Sequence, residues 1–150
     1  MKLVQKSILY IPFALSLIST LGSLYFSEIL HFPPCVLCWY QRIAMYPLVP
    51  ILALGIYFKD KKLPYYVLPL SISGLLIAIY HNLLYYKILP ESAAPCIMGV
   101  SCTTKYIEWF GFITIPFLSF IAFLIITICM IGYVKTSHKG TKLHSFKEKN

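Results

Sequence analysis

Residues 63–86 read Leu-Pro-Tyr-Tyr-Val-Leu-Pro-Leu-Ser-Ile-Ser-Gly-Leu-Leu-Ile-Ala-Ile-Tyr-His-Asn-Leu-Leu-Tyr-Tyr and carry no Asp, Glu, Lys or Arg. A bilayer core takes about 20 helical residues to cross, so this run suffices alone. Runs of the same kind occupy 7–27 and 109–134, and a shorter one at 43–58 extends back through Arg42 to about Cys38. An Arg near a helix end can snorkel to the headgroups. The 150 residues are 59% hydrophobic and only 12% charged, too few charges to clothe a soluble domain of this size. The chain is therefore predicted to be an all-α integral membrane protein. Its one domain, residues 1–134, is a four-transmembrane-helix bundle with helices over about 8–27, 36–58, 64–86 and 109–134. Residues 135–150 form a polar, lysine-rich tail expected to be frayed.

The first run is read as a membrane helix and not a cleaved leader. Lys2 and Lys6 suit a leader, but the apolar stretch exceeds the usual length and no small-residue cleavage site follows. Basic residues then set the orientation. Lys2, Lys6, Lys59, Lys61, Lys62, Lys135, Lys139, Lys142, Lys147 and Lys149 fall on one side; Arg42, Lys87 and Lys105 fall on the other, offset by Glu28, Glu91 and Glu108. Both termini and the 59–62 turn are expected in the cytoplasm of a multi-pass plasma (inner) membrane protein. The net charge of +8 is accounted for by topology and anionic lipid, so no nucleic-acid partner is expected.

Two cysteine pairs then fall on the outer side, where disulfides persist. They are Cys35-Val-Leu-Cys38 and Cys96-Ile-Met-Gly-Val-Ser-Cys102. Pro33 and Pro34 precede the first pair, and proline favours a helix start. Helix two is expected to begin near Pro34, with Cys35 and Cys38 in its first turn facing free amide donors, a field that stabilises a thiolate. Arg42 lies four residues beyond Cys38 on the same stripe. A cation there suits a thiolate or the developing charge on a reduced quinone oxygen. The second pair lies in a loop of about 87–108 that contains Pro90, Pro95 and Gly99 and so favours an irregular path. Four cysteines allow three connectivities, which spacing alone leaves open.

Other residues have plainer readings. Cys129, deep in helix four, reads as a small packing residue. His81 and Asn82, near the outer end of helix three, fit either quinone hydrogen bonding or interfacial capping beside Tyr80, Tyr85 and Tyr86. Trp39, Tyr40, Trp109 and Phe110 read as interfacial anchors. No metal is expected: the outer location favours disulfides, and a Cys-x5-Cys spacing is uncommon in zinc knuckles. Pro12, Pro47, Pro50, Pro69 and Pro116 each remove a backbone donor inside an apolar run, which membrane helices tolerate.

The segment Cys35-Val-Leu-Cys38-Trp-Tyr-Gln-Arg42 resembles the Cys-x-x-Cys-x-x-x-Arg hallmark of the DsbB family of disulfide bond formation proteins. Pro95-Cys96-Ile-Met-Gly-Val-Ser-Cys102, with Tyr106-Ile-Glu-Trp-Phe-Gly-Phe-Ile-Thr-Ile-Pro116 after it, is similar to the short-loop, BdbC-like branch. The resemblance covers nearly all of residues 1–134. It implies a thiol:quinone oxidoreductase that reoxidises a DsbA-like (BdbD-like) thioredoxin-fold thiol oxidase. Electrons would run from Cys96 and Cys102 to Cys35 and Cys38, then to menaquinone or ubiquinone, with Arg42 and His81 at the quinone. Two alternatives compete: a vitamin K epoxide reductase-like enzyme, whose Cys-x-x-Cys lies in a late helix, and a non-enzymatic scaffold or chaperone subunit stapled by disulfides.

Overall fold

The computed structural model describes the backbone of residues 2–60, 62–90 and 114–147, and within those ranges the side chains from 8 to 136. Helix α1 (Lys2–Leu24) passes into a π turn (Tyr25–Ile29). There follow α2 (Val36–Met45), α3 (Leu48–Tyr57), α4 (Leu63–Tyr85) and α5 (Ile115–Lys147). Four segments are long and apolar enough to cross a membrane: Ile8–Ile29, Val36–Tyr57, Leu63–Tyr85 and Ile115–Thr136. Every regular element among the described residues is helical, as expected of a four-helix membrane bundle. The outward faces carry Ile18, Ile43, Leu54, Leu76 and Ile128, all exposed as lipid contacts require.

Helix two is not the single rod expected over 36–58. It breaks between α2 and α3 because Pro47 and Pro50 lack the N–H groups that would bond the carbonyls one turn back. The Tyr46 carbonyl, deprived of Pro50, accepts the Val49 N–H at 3.3 Å in a tighter turn. At the other end, α5 starts at Ile115 because the Thr114 hydroxyl accepts the Phe117 N–H at 3.3 Å. Pro116 sits in that first turn, where a missing donor costs little. Helical backbone continues past 134 to Lys147, through residues expected to fray. No proline interrupts 117–147, and Lys142 and Lys147 lie near its carbonyl-rich end. Residues 109–113 of the expected fourth helix lie outside the described residues.

The core sits where α4 crosses α5, with α1 and α3 packed alongside. Phe123, Leu48, Leu52, Ile126 and Val67 are fully buried there. Gly74 is required at the crossing, since a Cβ would collide with the Phe123 ring. Gly55 does the same for Leu63 at the α3–α4 turn. Small residues let membrane helices approach closely enough for dispersion contacts to accumulate. Several hydroxyls within the spans bond their own helix backbone, as Ser16 does to the Phe13 carbonyl at 2.9 Å and Thr127 to Phe123 at 2.8 Å.

Helix ends are closed by backbone turns. At α3, the Lys59 N–H bonds the Ile56 carbonyl at 3.3 Å and the Asp60 N–H bonds Gly55 at 3.0 Å, with Lys59 at φ 52°. At α4, Lys87 bonds Leu84 and Ile88 bonds Leu83, both at 3.0 Å, with Lys87 at φ 56°. These are Schellman closures, with lysine where glycine is usual. After the π turn His31 is also left-handed, at φ 52°, and folds Phe32 back to stack on Phe26, centroids 6.5 Å apart.

Candidate functional site: a dithiol beside an apolar cavity

The sequence places Cys35 after two prolines, of which Pro34 holds Pro33 in extended backbone. Cys35 keeps that conformation, at φ −70° and ψ 168°, and serves as the N-cap of α2. The helix thus begins at Val36, two residues later than Pro34. Capping here is done by sulfur: Cys35 Sγ accepts the Cys38 N–H at 3.3 Å. One turn of helix returns Cys38 beside its partner, with the two Sγ atoms 2.8 Å apart and both thiols free. Cys35 is 5% exposed and Cys38 is half-buried.

Packing of α2 on α4 brings His81 to this pair. The ring is 2% exposed, and its Nε2 lies 3.8 Å from Cys35 Sγ. The Cys35 thiol is lowered to about 4, first by the Cys38 side-chain hydrogen bond. Burial opposes the shift, while the His81 hydrogen bond and the Cys38 amide assist it.

Behind His81 stands a polar chain that the sequence reading missed. Gln41 Nε2 lies 3.3 Å from His81 Nδ1, and the Ser119 hydroxyl of α5 donates to Gln41 Oε1 at 3.1 Å. The signal was present in Gln41, a polar side chain within an apolar span, 7% exposed once folded. Arg42 donates to the Ser23 carbonyl of α1 at 3.1 Å and lies over the Trp39 ring, 5.4 Å from its centroid. Asn82 ties α4 to α5 by donating to the Pro116 carbonyl at 2.9 Å. Trp39 and Tyr40 are exposed, as interfacial anchors are. Cys129 is a free, half-buried thiol remote in sequence from the pair. Cys96 and Cys102, with Trp109 and Phe110, lie outside the described residues.

A cavity of about 370 Å³ opens between α1, α2 and α5, walled in part by Phe26, Phe32, Cys38, Arg42, Tyr46 and Ser119. Cys35 and His81 are not among its lining residues, so among the described cysteines of the pair it is Cys38 that meets it. Largely apolar walls with a few convergent polar groups suit a flat hydrophobic ring carrying oxygens. The buried Tyr46 hydroxyl has no partner among the described residues, so this wall holds a donor still to be satisfied. The residues present therefore fit a quinone, with Arg42 and Cys38 at the same wall. The ligand atoms of Cys35, Cys38 and His81 all lie within 4.8 Å of one another, a donor set also suited to a soft metal ion. Closing the Cys35–Cys38 disulfide removes two of those three donors, so redox pairing and metal ligation exclude one another.

A helical membrane bundle with a helix-capping dithiol at an apolar cavity defines a membrane protein built for thiol–disulfide chemistry. The model of the family "Disulfide bond formation protein DsbB" matches residues 5–132. The chain is 52% identical over 122 residues to Disulfide bond formation protein C of Bacillus subtilis (strain 168), covering 81% of this chain and 88% of that protein. It is 48% identical over 132 residues to Probable disulfide formation protein C 1 of Bacillus anthracis, covering 87% and 94%. It is 50% identical over 120 residues to Probable disulfide formation protein C of Halalkalibacterium halodurans, covering 80% and 88%. No solved structure matches it. The chain belongs to the DsbB family of disulfide bond formation proteins, and its role is in disulfide bond formation.

Proposed function

We propose that the protein is a thiol:quinone oxidoreductase that keeps an extracytoplasmic, DsbA-like thioredoxin-fold oxidase in its disulfide form. The observation that carries this reading is the placement of Cys38 on the wall of the apolar cavity with Arg42, while Cys35 stands behind it against His81. In this reading Cys96 and Cys102 take the partner's electrons and return them to Cys35 and Cys38. Thiol–disulfide exchange proceeds by thiolate attack on sulfur, so each handover breaks one disulfide as it makes another. Per cycle the partner gains one disulfide and gives up two electrons and two protons. A quinone in the cavity would supply the acceptor for both pairs.

The chain's own groups prepare this exchange. The Cys38 N–H and the His81 ring stabilise Cys35 as a thiolate, which makes it a good leaving group when its disulfide is attacked. The Arg42 guanidinium, half-buried and fixed by the Ser23 carbonyl, presents positive charge where an acceptor oxygen would gain negative charge. The lysine asymmetry supports an outer location for both pairs.

The test is reconstitution in lipid with quinone and a reduced thioredoxin-fold protein. Quinone reduction should require Cys35, Cys38, Cys96 and Cys102, and turnover that persists in Cys38→Ser would refute the relay. A membrane-impermeant maleimide should reach Cys35 and Cys102 from the same outer face of reduced cells.

A further inference from the structure

Each ring nitrogen of His81 faces a polar atom of the described residues. Nε2 faces Cys35 Sγ at 3.8 Å, and Nδ1 faces Gln41 Nε2 at 3.3 Å. A neutral imidazole carries one N–H, and its position is set by what the other nitrogen meets. An amide nitrogen can only donate. Opposite Gln41 Nε2, the ring must offer the Nδ1 lone pair, which leaves its proton on Nε2, towards the sulfur. The end of Gln41 that faces the ring is decided on its far side. There Oε1 lies 3.1 Å from the Ser119 hydroxyl, the donor that holds this orientation.

Ser119 has a second acceptor in reach, the Pro116 carbonyl at 2.9 Å, and a single proton to give. When that proton turns to Pro116, Ser119 shows Gln41 a lone pair. The amide is then satisfied by turning over, which brings Oε1 against the ring and draws the proton to Nδ1. Both arrangements keep a hydrogen bond from Ser119 to its neighbours and one between Gln41 and the ring, and Gln41 and His81 are both buried, with Gln41 and Ser119 at the edge of the cavity. They differ in what Cys35 meets: an N–H, which suits a thiolate, or a lone pair, which suits a protonated thiol.

We propose that Gln41, oriented by Ser119, is a positioning residue that selects the tautomer of His81 and so sets whether Cys35 faces a hydrogen-bond donor or an acceptor. This rests on the reading of Cys35 as a working redox thiol. Neither Gln41 nor Ser119 touches the sulfur; each acts through the ring.

The experiment uses the full-length reduced protein in nanodiscs with ¹⁵N-labelled histidine, the His81 signals being assigned by their loss in His81→Asn. The wild type should show a protonated Nε2 and a bare Nδ1 in the neutral ring. Gln41→Glu, whose carboxylate only accepts, should move a proton to Nδ1. Gln41→Leu should abolish the preference, and Ser119→Ala should weaken it. In a Cys38→Ser background, Gln41→Leu should slow modification of Cys35 by methyl methanethiosulfonate about fivefold, the worth of one ordinary hydrogen bond. A wild-type proton on Nδ1, or signals and rates that Gln41→Leu leaves unchanged, overturns the inference. Quinone reduction by the same wild-type sample separates the two levels. If turnover is normal but the tautomer ignores Gln41, only this inference fails. If turnover is absent, the relay fails and takes the inference with it.

Discussion

Midway along α4, Gly74 lets the Phe123 ring of α5 press against its backbone, and Leu48, Leu52 and Ile126 close the space around it. Two turns further along the same helix, His81 is just as buried, but its neighbours are a sulfur and an amide, and a cavity lies beyond. The first region is held by shape and dispersion, with little to titrate and nothing to move. The second is held by a line of hydrogen bonds running Ser119, Gln41, His81, Cys35. The same two helices thus separate two duties. One crossing fixes their distance, which allows the other to keep groups whose protons and electrons change hands.

Substitutions can break this division or sharpen it. The largest effect is expected from Cys35→Ser, which should reduce quinone turnover to background while thermal unfolding in detergent changes little. A large fall in stability instead would mean that the dithiol helps hold the fold. Gly74→Val should do the reverse, destabilising by about 3 kcal/mol or more through overpacking against Phe123. Fully folded Gly74→Val of normal melting temperature would show that the crossing is looser than described. Arg42→Ala should slow quinone reduction roughly 10–100-fold, the value of a charge-assisted hydrogen bond. It should spare single-turnover oxidation of the partner, and equal losses at both steps would remove Arg42 from the cavity's chemistry. The smallest effect concerns pH. A thiol lowered to about 4 stays ionised well below neutrality. Modification of Cys35 in the reduced protein should therefore hardly change between pH 8 and 5, and fall only as pH drops through that value. A fall beginning near pH 8 would mean that its neighbours do not stabilise the thiolate.

How far the sequence foretold this arrangement depends on the range of the signal. Charge-free length announced four spans because hydropathy is a local property and lipid allows few backbone structures. Pro33-Pro34 before Cys35 announced a helix start, and the sulfur cap followed from chain geometry alone. The break at Pro47 was visible as a missing donor, yet one apolar run suggested one rod. Gln41 and Ser119 were harder, being 78 residues apart in sequence and joined only when α2 and α5 pack about α4. His81 was noticed, but its neighbour was not: the sequence associated it with the quinone, and the structure sets it 3.8 Å from Cys35 with Gln41 beside it, off the cavity wall.

The interruption at Tyr46 and Pro47 leaves two short rods where an unbroken ladder would have made one stiff beam. The joint falls between the dithiol at the head of the first rod and the close approach of Gly55 to Leu63 in the second. Two missing donors thus divide one membrane crossing into a redox-bearing piece and a packing piece, each seated on α4.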